Sequence, residues 1–208
     1  MRQVVGFVCL LAVASIWSSA EHALGEWYVA GQAGINFADR LTSVTGTGSL
    51  TSLQAPNFDL KNAVVYGGKL GYFPANGHLG LELDVFNSQP NIKNLGDIPG
   101  IHLRVTNVGA NVVLRYPGPT YQPYLGIGGA ALVAHLDNSP TTQSDSEVGF
   151  GVNLLAGLRA FVTPYVALFT EYKYTRGTLT FHDAFGPVGG FTGVYRAQHV
   201  VFGVSYHF

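Results

Sequence analysis

Four sets of residues in this chain carry side chains capable of chemistry. Glu82 and Asp84 stand two apart in LGLELDVF, a spacing that puts both carboxylates on one face of a strand, as an acid and base pair would need. Ser205 and His207 repeat that spacing in the final ten residues, where an imidazole could activate a hydroxyl. His102, His182 and Asp183 lie in or beside polar connectors, and a metal held by the two histidines would need a third ligand that the sequence does not identify. The largest set is Lys69, Glu82, Asp84, Arg115, Arg159, Glu171 and Lys173, joined by Asn153; it is mixed in sign, and its members occupy alternate positions within apolar runs. Such a set could line a proton or ion path. It could equally fill a narrow interior as a network of matched charges, because an unpaired charge in a low dielectric is costly. No catalytic residue, metal site or cofactor is assigned from these residues.

The elements that must position them read as strands. In LGLELDVF, Leu79, Leu81, Leu83 and Val85 alternate with Glu82 and Asp84; in VGFGVNLLAGLRAFV, Val148, Phe150, Val152, Leu154 and Leu158 alternate with Asn153 and Arg159. In VALFTEYKYT, Val166, Leu168, Tyr172 and Tyr174 alternate with Glu171 and Lys173. Period-two patterning marks strands with a different surrounding on each face. About eight such segments are predicted, near 27–37, 64–73, 79–88, 103–116, 121–136, 147–162, 165–178 and 195–208. Connectors after the odd-numbered segments are long and polar, as in LTSVTGTGSLTSLQAPN and HDAFGPVGGFTG; those after the second, fourth and sixth are the tight turns PANGH, PGPT and TP. The segment from Tyr121 to Leu136 is apolar or small on both faces, which leaves its orientation open.

Composition says what surrounds those faces. Only 11% of residues are charged, against about 25% in ordinary globular proteins, while Gly is abundant at 27 residues and aromatics reach 12%. Charges this sparse would solvate a soluble surface poorly, yet after the leader no run is long and apolar enough for a membrane-spanning helix. The leader, MRQVVGFVCLLAVASIWSSA, has a positive start, an apolar middle and small residues at Ser18 and Ala20, the layout of an export signal cleaved after Ala20. Residues 1–20 are therefore read as a signal peptide and 21–208 as one domain. The sole Cys, Cys9, lies in that leader, so no disulfide is expected in the exported chain. Losing Arg2 leaves 10 cations against 12 carboxylates, about −2, with no basic field for nucleic acid.

The combination predicts an all-β fold: an eight-stranded antiparallel transmembrane up-and-down β-barrel. Lipid sets its register. Turning Lys69, Arg115, Arg159 and Lys173 outward would cost on the order of 10 kcal/mol at roughly 2–4 kcal/mol per midplane cation, so the charged faces point into the lumen. GEWYVAG carries a G-x-W resembling the opening of the lipocalins, but those barrels are soluble, with polar outsides and an apolar cavity, the reverse of this pattern.

Over essentially all of residues 21–208 the sequence resembles the small eight-stranded outer-membrane β-barrels of Gram-negative bacteria, the OmpA/OmpX-type barrels. The resemblance is carried by QPYLGIGG after a tight turn, by FTEYKYT and by VVFGVSYHF at the end. It implies an outer-membrane location with both termini periplasmic. It also implies that Val200, Phe202, Val204, Tyr206 and Phe208 form the terminal signal read by the barrel-assembly machinery. The expected surroundings are the bilayer and lipopolysaccharide, with an extracellular ligand at the loops and no second copy of the chain. A structural or surface-interaction role with a plugged polar lumen is the first reading. The alternatives are an enzyme modifying lipid A and a narrow channel.

Overall fold

The computed structural model describes residues 25–51, 58–59, 62–75, 77–89, 103–136, 145–182 and 189–208. Almost all of them are strand: β1 (Glu26–Gly46), β2 (Phe58–Asp59), β3 (Ala63–Phe73), β4 (Leu79–Ser88), β5 (Leu103–Arg115), β6 (Tyr121–Leu136), β7 (Asp145–Phe161), β8 (Val166–Phe181) and β9 (Phe191–His207). From β3 onward each strand pairs antiparallel with the next, β1 pairs with β3, and β9 returns to pair with β1 from Tyr28↔His207 up to Gly46↔Phe191. Eight long strands thereby close an up-and-down barrel. The two-residue β2 adds a rung beside Arg40 and Leu41 of β1. At the turn end, Trp27 and Phe208 exchange backbone hydrogen bonds of 3.0 and 2.9 Å, which completes the seam.

Side chains sort by parity around the ring. On β4, Leu79, Leu81, Leu83 and Val85 are exposed while Glu82 and Asp84 are buried. On β9, Phe202, Val204 and Tyr206 are exposed while His199, Val201, Ser205 and His207 are buried. The strand left open by its sequence, β6, turns Tyr121, Leu125, Ile127 and Val133 outward, and Gln122, Tyr124 and Leu132 inward. Its small residues accept either parity. The decision comes from β5 and β7, whose ladders with β6 set Leu125 beside Leu114 and Tyr124 beside Gly157.

Three strands run further than alternation indicates. β1 continues to Gly46 rather than stopping near Phe37, β8 reaches Phe181, and β9 starts at Phe191 rather than Tyr195. The register between β1 and β9 slips between Ala38 and Leu41 and again between Thr42 and Thr45. Each slip inserts unpaired residues and shifts parity, so the backbone ladder persists where the side-chain pattern that betrays a strand is lost.

Those extensions change the interior. It is polar only toward the tight turns, around Lys69, Glu82, Asp84 and Glu171. Toward the long connectors it is an apolar plug in which Leu103, Leu132, Leu179, Phe181, Phe191 and Tyr195 pack together. The polar lumen read from the sequence is thus the lower of two stacked layers, with an apolar layer above it that the sequence did not reveal.

Gly34 lies in the seam opposite Val201, where a Cβ would collide with the Val200 carbonyl oxygen. Gly34→Val is expected to cost roughly 1–3 kcal/mol through the overpacking it forces. The measurement is gel mobility of samples heated in steps, with the variant leaving its compact folded form at a lower temperature than the parent.

Candidate functional site

The turn-end half of the lumen is built from inward residues of all eight long strands, and its centre is an ion network. Lys69 of β3 places Nζ 3.1 Å from Glu82 Oε1 on β4 and 2.6 Å from Glu171 Oε2 on β8. Lys173, two residues beyond Glu171, reaches Asp84 of β4 and lies 3.3 Å from Glu171 Oε1. Neutral donors complete the carboxylates: Tyr28 Oη donates to Glu82 at 2.5 Å, Tyr124 Oη to Glu171 at 2.9 Å, and Gln32 Nε2 to Asp84 at 2.7 Å. Arg159 lays its guanidinium over the rings of those same tyrosines, 4.3 Å from Tyr28 and 5.4 Å from Tyr124. Three cations thus stand among three carboxylates. Above them Asn153 and Asn107 exchange amide hydrogen bonds at 3.1 and 3.2 Å, and Thr175 donates to Asn153.

Glu82 and Asp84 do share the inward face, as their spacing requires, but each carboxylate is held by a lysine and a neutral donor, and both residues are buried. A pair fixed in this way cross-braces opposite walls of the barrel. It has no open side on which a substrate would sit.

A second cluster closes the turn end. Glu26, the first residue of β1, accepts from Arg115 of β5 at 2.5 Å and from His207 of β9 at 2.5 Å. His207 Nε2 lies 2.9 Å from Ser205 Oγ, and its ring is flanked by Tyr28 and Phe161 at centroid distances of 5.2 and 4.8 Å. Arg115 packs over Phe73 at 3.8 Å. Serine, histidine and carboxylate therefore stand in the order of a hydrolytic triad. A recess of about 420 Å³, lined in part by Glu26, Arg115, Gln122 and His207, opens at this mouth, but Ser205 lies one rung deeper and is fully buried. The cluster works as a latch that ties β5 and both ends of the chain's barrel together. Nothing in the spacing of residues 26 and 207 announces their contact; only closure of the ring brings them together.

At the long-connector end, His182 is exposed and meets Glu147 at 2.7 Å. The sequence had grouped it with Asp183 and His102, which lie outside the described residues. Val200, Phe202, Val204, Tyr206 and Phe208 all stand on the outward face of the last strand, with Tyr206 stacked on Phe208 at 6.1 Å.

An apolar outer band, a closed ring of strands and a buried, internally paired charge network define an integral β-barrel of the Gram-negative outer membrane. Residues 6–208 match the outer membrane protein beta-barrel domain, and the chain belongs to that family. An uncharacterized protein of Haemophilus influenzae is 26% identical over 171 residues, covering 80% of this chain and 88% of its own. Among solved structures, Neisserial surface protein A is similar with a TM-score of 0.58 and 17% identity, over 88% of this chain and 97% of that one. Ail of Yersinia pestis, solved with the heparin analogue sucrose octasulfate, is similar with a TM-score of 0.52 and 17% identity, over 89% and 99%. In this architecture the tight turns face the periplasm and the long connectors face outward.

Removing one partner of a buried ion pair leaves the other uncompensated. Lys173→Met is therefore expected to destabilise the folded barrel by about 3–5 kcal/mol, and Lys173→Met combined with Asp84→Leu to recover most of that loss. Urea unfolding in detergent, followed by tryptophan fluorescence, measures both.

Proposed function

We propose that this protein is a sealed, non-enzymatic scaffold that holds long loops at the cell surface for contact with molecules outside the cell. The reading is carried by one observation: the lumen is filled along its length, by paired ions below and by an apolar plug above. A barrel filled in this way presents only its outer end to the surroundings, and binding on rigid scaffolds resides in the loops they hold. Ail, a barrel of similar fold, was solved in complex with the heparin analogue sucrose octasulfate, which supports surface contact as a use of such barrels. Residues 1–20 direct export and are removed, and the outward row Val200, Phe202, Val204, Tyr206 and Phe208 is read by the assembly machinery.

Planar bilayers containing the purified protein are expected to show no discrete conductance steps; steps altered by Glu82→Gln or Arg159→Ala would make the protein a channel. Lipid A from cells lacking and cells overproducing the protein is expected to give identical mass spectra, and a mass change equal to an acyl chain would make it an enzyme. Deleting Phe208 is expected to lower the amount recovered from outer membranes several-fold, with the missing protein found in the periplasm.

A further inference from the structure

The outward face is not uniformly apolar. Arg176 of β8 and Arg196 of β9 are direct partners across the ladder, and the parity of both strands points them away from the lumen. Facing residues in an antiparallel pair hold their Cβ atoms roughly 4.5–5.5 Å apart, and like charges in that position repel. Among the described residues neither guanidinium meets a carboxylate. The Nε of Arg196 is buried without a hydrogen-bond partner.

Height in the membrane follows from the register. Arg176 lies ten residues beyond Val166, whose ladder partner Tyr206 belongs to the aromatic rim at the turn end together with Tyr165 and Phe208. At about 3.3 Å per residue along a strand tilted by 35–45°, that separation is roughly 25 Å, the height of the apolar band of an outer-membrane barrel. The two arginines therefore stand at the upper edge of the hydrocarbon. There a cation costs little, and the outer-leaflet headgroups begin. Below them on β8 are the outward residues Tyr174 and Tyr172, the latter donating to Gln198 at 3.0 Å. On β7, Val152 stands directly beside Arg176 and Leu154 beside Tyr174 below it, both exposed and apolar.

We propose that Arg176 and Arg196 together bind a phosphate group of an outer-leaflet glycolipid of the lipid A type, whose acyl chain runs down against Val152 and Leu154. Two guanidiniums side by side offer planar donor forks to one phosphate, and that anion relieves their repulsion. The apolar neighbours select an amphiphile over a free ion. The site rests only on the barrel's place in the outer membrane and is independent of what the loops contact.

The test is native mass spectrometry of the full exported chain in detergent, with bis-phosphorylated lipid A, dephosphorylated lipid A and inorganic phosphate as probes. The parent protein is expected to retain bis-phosphorylated lipid A about tenfold more strongly than R176Q/R196Q, a difference one lost charge-assisted contact would produce. Both proteins are expected to hold the dephosphorylated form equally weakly. Equal retention of the phosphorylated form by parent and variant overturns the proposal, and so does its displacement by inorganic phosphate at comparable concentration, which would make this a site for a free anion. R104Q removes a single outward arginine of β5 and is expected to bind as the parent does; a loss matching the double variant would reduce the effect to surface charge and overturn the pair. Heat-dependent gel mobility confirms that each variant is folded, so failure of the site is distinct from failure of the barrel. If R176Q/R196Q does not fold, R176K/R196K keeps both charges without the planar forks: a several-fold loss supports the proposal, and undiminished retention overturns it.

Discussion

Every backbone amide in the membrane must find its partner within the chain, because hydrocarbon offers none. That requirement makes the β1–β9 seam the contact on which the rest of this structure depends. An open sheet would leave two edges unpaired in lipid. Closure joins residues near opposite ends of the chain and fixes the circumference at eight strands, and an interior of that width is just large enough to be filled by side chains. The paired lumen, the turn-end latch and the outward apolar band are all consequences of that closure.

The narrow interior brings the inward charges together as a paired network. With Glu82, Asp84 and Glu171 on two strands and Lys69 and Lys173 reaching them across the lumen, each charge is braced by groups from other walls. Buried pairs of this kind add little net stability compared with an apolar filling, but breaking one is expensive. They therefore penalise any register in which a strand is shifted by one residue, since such a slip would expose all of its charges to lipid. The apolar plug above them does the complementary work by excluding water from the outer half. Under the proposed scaffold role, function lies at the outer end and on the lipid-facing surface rather than in the lumen.

The chain's own residues forecast its architecture unevenly. Strand count, the alternation of tight turns with long connectors, and the inward facing of Lys69, Glu82, Asp84, Arg115, Asn153, Arg159, Glu171 and Lys173 were legible, because a two-residue period and the cost of a cation in lipid are local rules. The extension of β1 was not, since two bulges break its period while the backbone ladder continues; β8 and β9 keep their alternation over the added residues, but so few of them, set in a polar, glycine-rich connector, read as loop. β6 was ambiguous for a different reason: its glycines and alanines satisfy either face, and the choice belongs to β5 and β7. The outward arginines 176 and 196 escaped notice because each is unremarkable alone and significant only beside the other.

By itself, then, the sequence determined the class of fold and which face of most strands meets lipid, because those follow from spacing between neighbours along the chain and from the energy of a single side chain in a bilayer. Which charges meet was decided only in three dimensions. Glu26 and His207 are 181 residues apart, Lys173 and Asp84 are 89 apart, and no periodicity relates them. Ring closure and shear set those meetings. They also divided the lumen into a polar floor and an apolar plug, and set two arginines side by side at the membrane's outer edge.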